Sequence, residues 1–340
     1  MDKHPVLFVT HRGERHQRAA LGAAPPELQI TMRRTPSRDE IMALLPGVEF
    51  LISERTGAID AELMSAGKEL RLIQRLGSQT YDIDLAAARA AGIAVCSTPV
   101  RTCIMVAEHM LMQMLAAAKR LREVMDIATG AQGWGHEPRR CDEDYFAYNW
   151  SGRADIRGIW GSTVGILGLG EIGTELARRL RPFGCTVLYN KRDRLPAFAE
   201  QELSVNFAGR DTLLARSDFV CMLMPFFNET AGTLDAGFFA RMKPGAVFVS
   251  CGGSGVVDEG ALAGALASGH LYGAAVDTYT YEPIHPEDPL LPLARQPGAN
   301  VILTPHTAAG PVAANRDERC GDFDNIVHFL RGEELEGRLA

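Results

Sequence analysis

The chain has 340 residues, of which 46% are apolar and 23% charged, and 35 Lys and Arg stand against 42 Asp and Glu, for a net charge of −7. This length suits two domains of ordinary size with substantial cores. The acidic balance gives no support to a nucleic-acid partner, which would call for a basic surface.

The cysteines and the apolar runs point to a protein of a reducing compartment. Seven cysteines occur without a CxxC pair, so neither a disulfide framework nor a zinc site is indicated, and we expect no bound metal. The apolar run near the N-terminus is too short for a signal peptide, and no run approaches the roughly 18 residues of a membrane span. We therefore expect a cytoplasmic protein with no membrane partner.

The first hundred residues alternate short apolar runs with helical patterns, which predicts a parallel sheet with crossover helices. Helices are predicted from Ser37 to Leu45 and from Asp60 to Ala66. Strands are predicted at Val6 to Thr10, Phe50 to Ser53, Leu70 to Arg75 and Ile93 to Cys96. We expect residues 1–99 to form a first α/β domain, with about 311–340 returning to it.

The next segment contains a long helix and then a long loop. Ile104 to Met125 is apolar at helical spacing, which is typical of a core or a subunit interface. Residues 130–159 show no periodicity but contain several aromatic residues, and we expect an ordered cover at a subunit interface or against substrate. These aromatic positions are Trp134, Tyr145, Phe146, Tyr148 and Trp150.

A complete βαβ dinucleotide site follows in the run TVGILGLGEIGTELARRLRPFGCTVLYNKR, from Thr163 to Arg192. Gly168 makes the tight turn, Gly170 lets the backbone approach a pyrophosphate, and Gly173 allows the helix to pack closely on the strand. The N–H groups at the start of the helix would then hold the phosphates. Residues 100–310 are therefore predicted to form a dinucleotide-binding domain.

The end of the second strand of this unit suggests which dinucleotide binds. An NAD site usually places an acidic residue there, about 20 residues past the glycines, but this chain has Asn190-Lys191-Arg192. Asn190 can donate to a 2′-phosphate and the two cations can neutralise it, so we predict NADP(H) over NAD(H). The alternative is that Lys191 and Arg192 are solvated surface charges.

Later strands are predicted at Phe219 to Leu223, Ala246 to Ser250, Gly273 to Asp277 and Val301 to Thr304, and the closing segment Ala313 to Arg331 is predicted helical. Three segments lie where these strands end: SCGGSGVVDEGAL, AAVDTYTYEP and NVILTPHTAAG. Together with GLGEIG they resemble the D-isomer-specific 2-hydroxyacid dehydrogenase family, strongly from Gly161 to Gly310 and more loosely before Pro99. The resemblance implies two Rossmann-like domains, a substrate cleft between them and a homodimer.

The resemblance also implies the catalytic residues. The family's His falls on His306 and its Glu on Glu282, five residues after Asp277. A protonated imidazole can give its proton to a carbonyl oxygen as hydride arrives, and a neighbouring carboxylate favours that protonated form. A lone histidine is otherwise more often structural.

The family's arginine has no counterpart, because its position is Gly253 in Gly252-Gly253-Ser254. That arginine ordinarily holds the substrate carboxylate, and glycine cannot replace it. Three explanations of the missing arginine remain. The substrate lacks the usual α-carboxylate or carries a larger group that fills the space of the arginine side chain; another arginine supplies the hydrogen-bond donor; or catalysis is lost. As donors from the first domain we consider Arg55, Arg75 and above all Arg101, whose plainer interpretation is a solvated surface residue.

Other site residues are also implied. Gly77-Ser78-Gln79-Thr80-Tyr81 replaces the family's glycine-rich loop, so Ser78 and Gln79 become candidate substrate contacts. The remaining cofactor candidates carried over from the family are Glu171, Ile172, Pro225, Thr230, Cys251 through its carbonyl, Asp277 near the carboxamide and His306 opposite the ring. Asp277 has the alternative of capping a loop.

These observations support two hypotheses. The first is an NADP(H)-dependent oxidoreductase that interconverts a carbonyl and a secondary alcohol of a small molecule, on a substrate other than a simple short 2-hydroxy acid. The second is a catalytically silent NADP(H)-binding regulatory or interaction protein.

Overall fold

The computed structural model of the protein describes residues 3–54, 57–130, 137–310 and 319–340. The chain divides into two compact units, one of Met1–Ile104 with Gly310–Ala340 and the other of Met105–Ala309. Arg55, Trp134 and the first part of the predicted Ala313 to Arg331 helix lie outside the described residues. Among the described residues, no helix is both long enough and apolar enough to cross a membrane.

The first unit contains a five-stranded parallel sheet in the order β2-β1-β3-β4-β5. Its strands are β1 (His4–Thr10), β2 (Leu28–Arg34), β3 (Phe50–Ser53), β4 (Leu72–Leu76) and β5 (Ala94–Thr98). Its helices are α1 (Glu14–Ala23), α2 (Arg38–Leu44), α3 (Ala61–Ala66), α4 (Leu85–Ala91) and the closing α13 (Asp324–Arg331). Ser37 and Asp60, predicted as helix starts, cap α2 and α3 with their side chains.

The second unit contains a seven-stranded parallel sheet in the order β12-β11-β10-β9-β6-β7-β8. Its strands are β6 (Thr163–Leu167), β7 (Thr186–Asn190), β8 (Val205–Phe207), β9 (Phe219–Met222), β10 (Val247–Ser250), β11 (Gly273–Val276) and β12 (Val301–Leu303). Its helices are α6 (Leu121–Gly130), α7 (Glu171–Leu180), α8 (Ala197–Leu203), α9 (Arg210–Arg216), α10 (Ala236–Ala240), α11 (Glu259–Ala267) and α12 (Leu290–Arg295). The order turns back between β6 and β9, and ligands of such sheets bind at the carboxyl ends of the strands beside this switch.

Two helices replace the single helix predicted from Ile104 to Met125. α5 (Arg101–Ala118) ends before Arg120, whose φ of 49° is left-handed, and α6 starts at Leu121. The Arg120 guanidinium binds Glu123 and Asp155, which fixes the break. A helical pattern alone does not reveal such a break, because the apolar spacing continues across it.

Of the aromatic loop predicted at residues 130–159, Gly130 is the last residue of α6, and residues 137–159 form no helix or strand. Phe146 and Tyr148 pack edge to face with ring centres 4.8 Å apart and remain exposed to 56% and 81%. Its role as an interface or substrate cover stays a prediction.

Candidate active site

The three glycines of the turn after β6 differ in backbone conformation and in the space around their Cα atoms. Gly168 has φ of +91°, and a Cβ there would lie 2.8 Å from the Leu223 carbonyl atoms, so both conformation and space require glycine. A Cβ at Gly173 would lie 3.1 Å from the Gly168 oxygen, which shows how closely α7 packs on the turn. At Gly170, the N-cap of α7, a Cβ would meet no atom within 4 Å. Open space thus lies ahead of the helix N-terminus, and the binding of a pyrophosphate there stays a prediction.

Asn190 joins this turn to the next strand. Its carbonyl accepts a hydrogen bond from the Gly168 N–H (2.9 Å), and its Nδ2 donates to the Ala208 carbonyl (2.9 Å). One hydrogen of the predicted phosphate donor is therefore already used. Lys191 is half-buried and Arg192 exposed just beyond it.

The predicted adenosine-side residues Pro225 and Thr230 shape one loop after β9. The Phe227 N–H donates to the Thr230 hydroxyl (2.8 Å), which lies 3.1 Å from the Pro225 carbonyl. Glu171 and Ile172 form the first turn of α7 and are both half-buried. Their contacts with a cofactor stay predictions.

His306 and Glu282 form a hydrogen-bonded pair, with 2.7 Å between Nδ1 and Oε2. Burial pushes the pKa of Glu282 up, but hydrogen bonds from His306, from the Tyr279 N–H and from the Ser254 hydroxyl outweigh it and hold that pKa below its usual range. The His306 side chain is 51% exposed, so Nε2 remains for a substrate. The pair can therefore hold an imidazolium against a carboxylate and move one proton at Nε2.

Asp277 holds the loop that carries His306. It is fully buried, and its carboxylate accepts from the N–H groups of Thr307 and Ala308 (both 3.0 Å) and from the Thr304 hydroxyl. His306 itself has φ of +51°, which a non-glycine residue adopts only when its surroundings impose it. The loop-capping alternative for Asp277 is thus what the structure shows, and a carboxamide contact stays a prediction.

Cys251 lies beside Asp277, with its thiol 3.4 Å from the Gln113 Oε1. Among the described residues, His109, Cys251 and Asp277 bring potential metal-ligand atoms within 4.8 Å of one another. Burial raises the pKa of the Cys251 thiol well above its usual value and lowers that of His109, while Asp277 is already hydrogen-bonded to the loop. A neutral thiol beside a committed carboxylate is a poor cation site.

The backbone of Phe226, in the loop after β9 (the Phe226 loop), occupies the position where the side chain of the family's arginine would begin. A Cβ on Gly253 would fall 2.8 Å from Phe226 Cβ and 2.9 Å from its Cα, and closer still to its backbone nitrogen. The Gly253 N–H donates to the Met224 carbonyl (2.8 Å), and the Phe226 ring lies over Gly255. The Phe226 backbone therefore leaves no room for the Cβ of an arginine at position 253.

Ser254 was not predicted as a site residue, although it stands where the family pattern has glycine. Its hydroxyl donates to Glu282 Oε1 (2.9 Å), the oxygen that also accepts from the Tyr279 N–H (3.0 Å). The only sequence signal was this departure from Ala-Arg-Gly. Ser254 thus positions Glu282 for His306.

We expect Ser254→Ala to lower kcat about 3- to 10-fold, the effect of one hydrogen bond to a partly exposed carboxylate. Loss of a bond that favours the ionised form raises the Glu282 pKa, so the acid limb of the pH–rate profile should move to higher pH. Ser268→Ala, whose hydroxyl bonds within its own turn, is the control. An unchanged acid limb would show that Ser254 does not act on Glu282.

The candidate substrate-binding residues of the first unit differ from one another in burial. Ser78 and Gln79 are 7% and 2% exposed, and Arg101 is exposed at the start of α5. Arg75 is fully buried and pairs with Asp82 at 2.9 Å, so it is already committed as a donor. The roles of Ser78, Gln79 and Arg101 toward a substrate stay predictions.

Comparison with known proteins bears on the whole chain. The sequence profile of "D-isomer specific 2-hydroxyacid dehydrogenase, NAD binding domain" matches residues 111–308. D-3-phosphoglycerate dehydrogenase of Mycobacterium tuberculosis is 32% identical over 331 residues, which cover 97% of this chain and 57% of that protein. Glyoxylate/hydroxypyruvate reductase B of Pectobacterium carotovorum is 33% identical over 283 residues, 82% of each chain. This chain therefore spans a little more than half the length of the phosphoglycerate dehydrogenases that it matches.

Solved structures agree. A glyoxylate reductase from Paecilomyes thermophila has a TM-score of 0.54 at 25% identity and covers 100% of this chain and 99% of its own. The TT0316 protein from Thermus thermophilus has the same TM-score at 27% identity, over 98% and 100% of the two chains. These matches confirm the predicted fold class of two parallel-sheet α/β domains. The profile covers more than half of the chain, and the chain belongs to the D-isomer-specific 2-hydroxyacid dehydrogenase family.

Proposed function

We propose that the protein is an NADP(H)-preferring oxidoreductase that interconverts a carbonyl and a secondary alcohol. The observation that carries the proposal is the 2.7 Å pair of His306 and Glu282, on the same sheet edge as the glycine turn. A bound nicotinamide supplies or accepts the hydride. His306 gives its Nε2 proton to the carbonyl oxygen in reduction and takes it back in oxidation, while Glu282 stabilises the charged imidazole.

The substrate is proposed to differ from a simple short 2-hydroxy acid. The Phe226 backbone fills the place of the carboxylate-binding arginine, and the sequence has no other Arg between Arg241 and Arg295. A cavity of about 390 Å³ lies beside the pair, with Glu282, Thr304 and His306 among otherwise mostly apolar walls. Those walls are Tyr279, Pro283, Ile284, Leu291, Leu303 and Pro305. This setting favours an apolar group next to the reacting carbonyl.

We further propose that the chain acts as a homodimer in the cytoplasm. An apolar groove on α5 and α6 includes Leu111, Met112, Leu115 and Leu121, of which Met112 and Leu121 are 45% and 43% exposed. Exposed apolar side chains grouped in this way are typical of subunit interfaces. The odd cysteine count and the absence of CxxC support a reducing compartment.

Steady-state kinetics with both cofactors, in a screen of 2-keto acids, ketones and aldehydes, tests the proposal. We expect turnover with KM lower for NADPH than for NADH. Replacing Lys191 and Arg192 together by Ala should raise KM for NADPH about 10-fold and leave KM for NADH nearly unchanged, since only NADPH carries the 2′-phosphate.

Arg181→Ala is the matched control, because Arg181 is an exposed cation at the other end of α7. Lower KM for NADH in the wild-type protein would refute the cofactor preference. Tight NADPH binding without turnover on any compound, unchanged by His306→Ala, would favour the silent regulatory protein.

A further inference from the structure

Three segments of the second unit meet beside its glycine turn: the end of β7, the residues that lead into α9, and the loop after β9. Asn190, at the end of β7, bonds to the Gly168 N–H through its carbonyl and to the Ala208 carbonyl through its side chain. Ala208 stands two residues before Arg210, the first residue of α9. The end of β7 therefore fixes both the phosphate-binding turn and the position from which the Arg210 side chain starts.

Arg210 reaches from there to the loop after β9. Its NH2 lies 3.7 Å from the Met224 sulfur, and its Cζ lies 5.9 Å from the centre of the Phe238 ring. Met224 borders the glycine turn, because a Cβ on Gly168 would fall 2.9 Å from the Met224 nitrogen. The guanidinium of Arg210 thus lies among the carboxyl ends of β6, β7 and β9, where an open parallel sheet binds its ligand.

The contacts of Arg210 differ from those of the arginines nearby. Arg194 forms a two-pronged pair with Glu200 (2.9 and 2.8 Å), and Arg241 pairs with Asp211, the residue after Arg210, at 3.3 Å. Within the described ranges, the hydrogen-bond acceptor of the half-buried Arg210 is the thioether of Met224, and thioethers accept only weakly. A half-buried guanidinium with so weak an acceptor favours an anion.

We propose that Arg210 binds the 2′-phosphate of NADP(H), together with Lys191 and Arg192. The inference rests on the proposed cofactor preference and adds a cation that the run Asn190-Lys191-Arg192 does not contain. Arg210 stands 18 residues further along the chain, and the pairing of β7 with β8 brings the two segments together. Two strand ends, rather than one, would then recognise the phosphate.

The experiment uses fragments that require neither hydride transfer nor substrate. 2′,5′-ADP and 5′-AMP are titrated calorimetrically against the full-length protein, Arg210→Met and Arg210→Lys. Methionine preserves much of the apolar length beside Met224 and Phe238. We expect Arg210→Met to weaken 2′,5′-ADP about 10-fold or more and to change 5′-AMP less than about 2-fold, with Arg210→Lys retaining most of the affinity.

Arg216→Met, at the exposed far end of α9, is the control and should change neither affinity. If wild-type protein prefers 2′,5′-ADP and Arg210→Met retains that preference, the role of Arg210 is refuted and the NADP(H) preference stands. Equal weakening of both fragments also refutes the role, since Arg210 would then support the adenosine pocket or the fold. If wild-type protein does not prefer 2′,5′-ADP, both proposals fail.

Discussion

His306→Asn should lower kcat by about 10²- to 10⁴-fold, the range of a lost general acid and base, and leave the Kd for NADPH within about 2-fold. Asparagine keeps a polar group of similar reach toward Glu282 but carries no exchangeable proton of suitable pKa. His306 is a predicted neighbour of the nicotinamide ring, but the dissociation constant is expected to hold because the proposed phosphate contacts lie at the glycine turn from Gly168 to Gly173 and His306 Nδ1 contacts the Glu282 carboxylate. Single-turnover rates and NADPH titration measure the two quantities.

His270→Asn is the matched control, because that imidazole bonds the Met242 carbonyl on another part of the second unit. It should leave kcat unchanged. Retention of most of the activity in His306→Asn would show that another group transfers the proton, and the proposed chemistry would fall.

The pH dependence follows from the same pair. The Glu282 pKa is depressed, so the ion pair with protonated His306 persists as pH falls below the ordinary range of a glutamate and is lost only as pH falls through the depressed value. Reduction uses this ion pair, so the pH profile of carbonyl reduction should keep its full rate until Glu282 is protonated. The acid limb should lie below the usual glutamate range.

Gly253→Arg should abolish native turnover and create no activity on glyoxylate or hydroxypyruvate. The first side-chain atom would already meet the Phe226 backbone, which cannot rotate away as a side chain could. Gly253→Ala alone should therefore lower the free energy of unfolding by about 1–3 kcal/mol, the usual cost of overpacking. Urea denaturation and a substrate screen measure these effects.

Gly264→Ala provides the comparison, because a Cβ there in α11 meets no atom within 4 Å. It should be neutral or stabilise the protein by up to about 1 kcal/mol, as alanine favours a helix over glycine. New activity of Gly253→Arg on glyoxylate would show that the Phe226 loop yields and that the substrate site is otherwise ordinary.

Buried strands and capped helices were predictable from the sequence. β3 matches its apolar run residue for residue, and Ser37 and Asp60 cap helices where their residue types indicate. β2 and β8 were not predicted, because both are edge strands with several exposed positions and so lack an apolar run. Apolar periodicity reports burial, and these two strands bury few of their residues, unlike the edge strand β5, which was predicted.

The candidate site was predictable only in part. The glycine turn was predicted from its own motif, in which each glycine meets a backbone requirement, whereas the pair of His306 and Glu282 was predicted from the resemblance to the family. The bond from Ser254 to Glu282 and the occupation of the Gly253 position by Phe226 depend on how separate loops meet in space. No spacing within one segment encodes such contacts.

The hydrogen bond from Asn190 to the Ala208 carbonyl bears on cofactor engineering. The obvious exchange toward NAD(H), Asn190→Asp, replaces an amide donor by a carboxylate and sets two acceptors against each other at 2.9 Å. The segment that leads into α9 would have to move so that the Ala208 carbonyl no longer faces the new carboxylate. A designer who wishes to reverse the proposed preference for NADP(H) must therefore redesign the end of β7 and the start of α9 as a single unit.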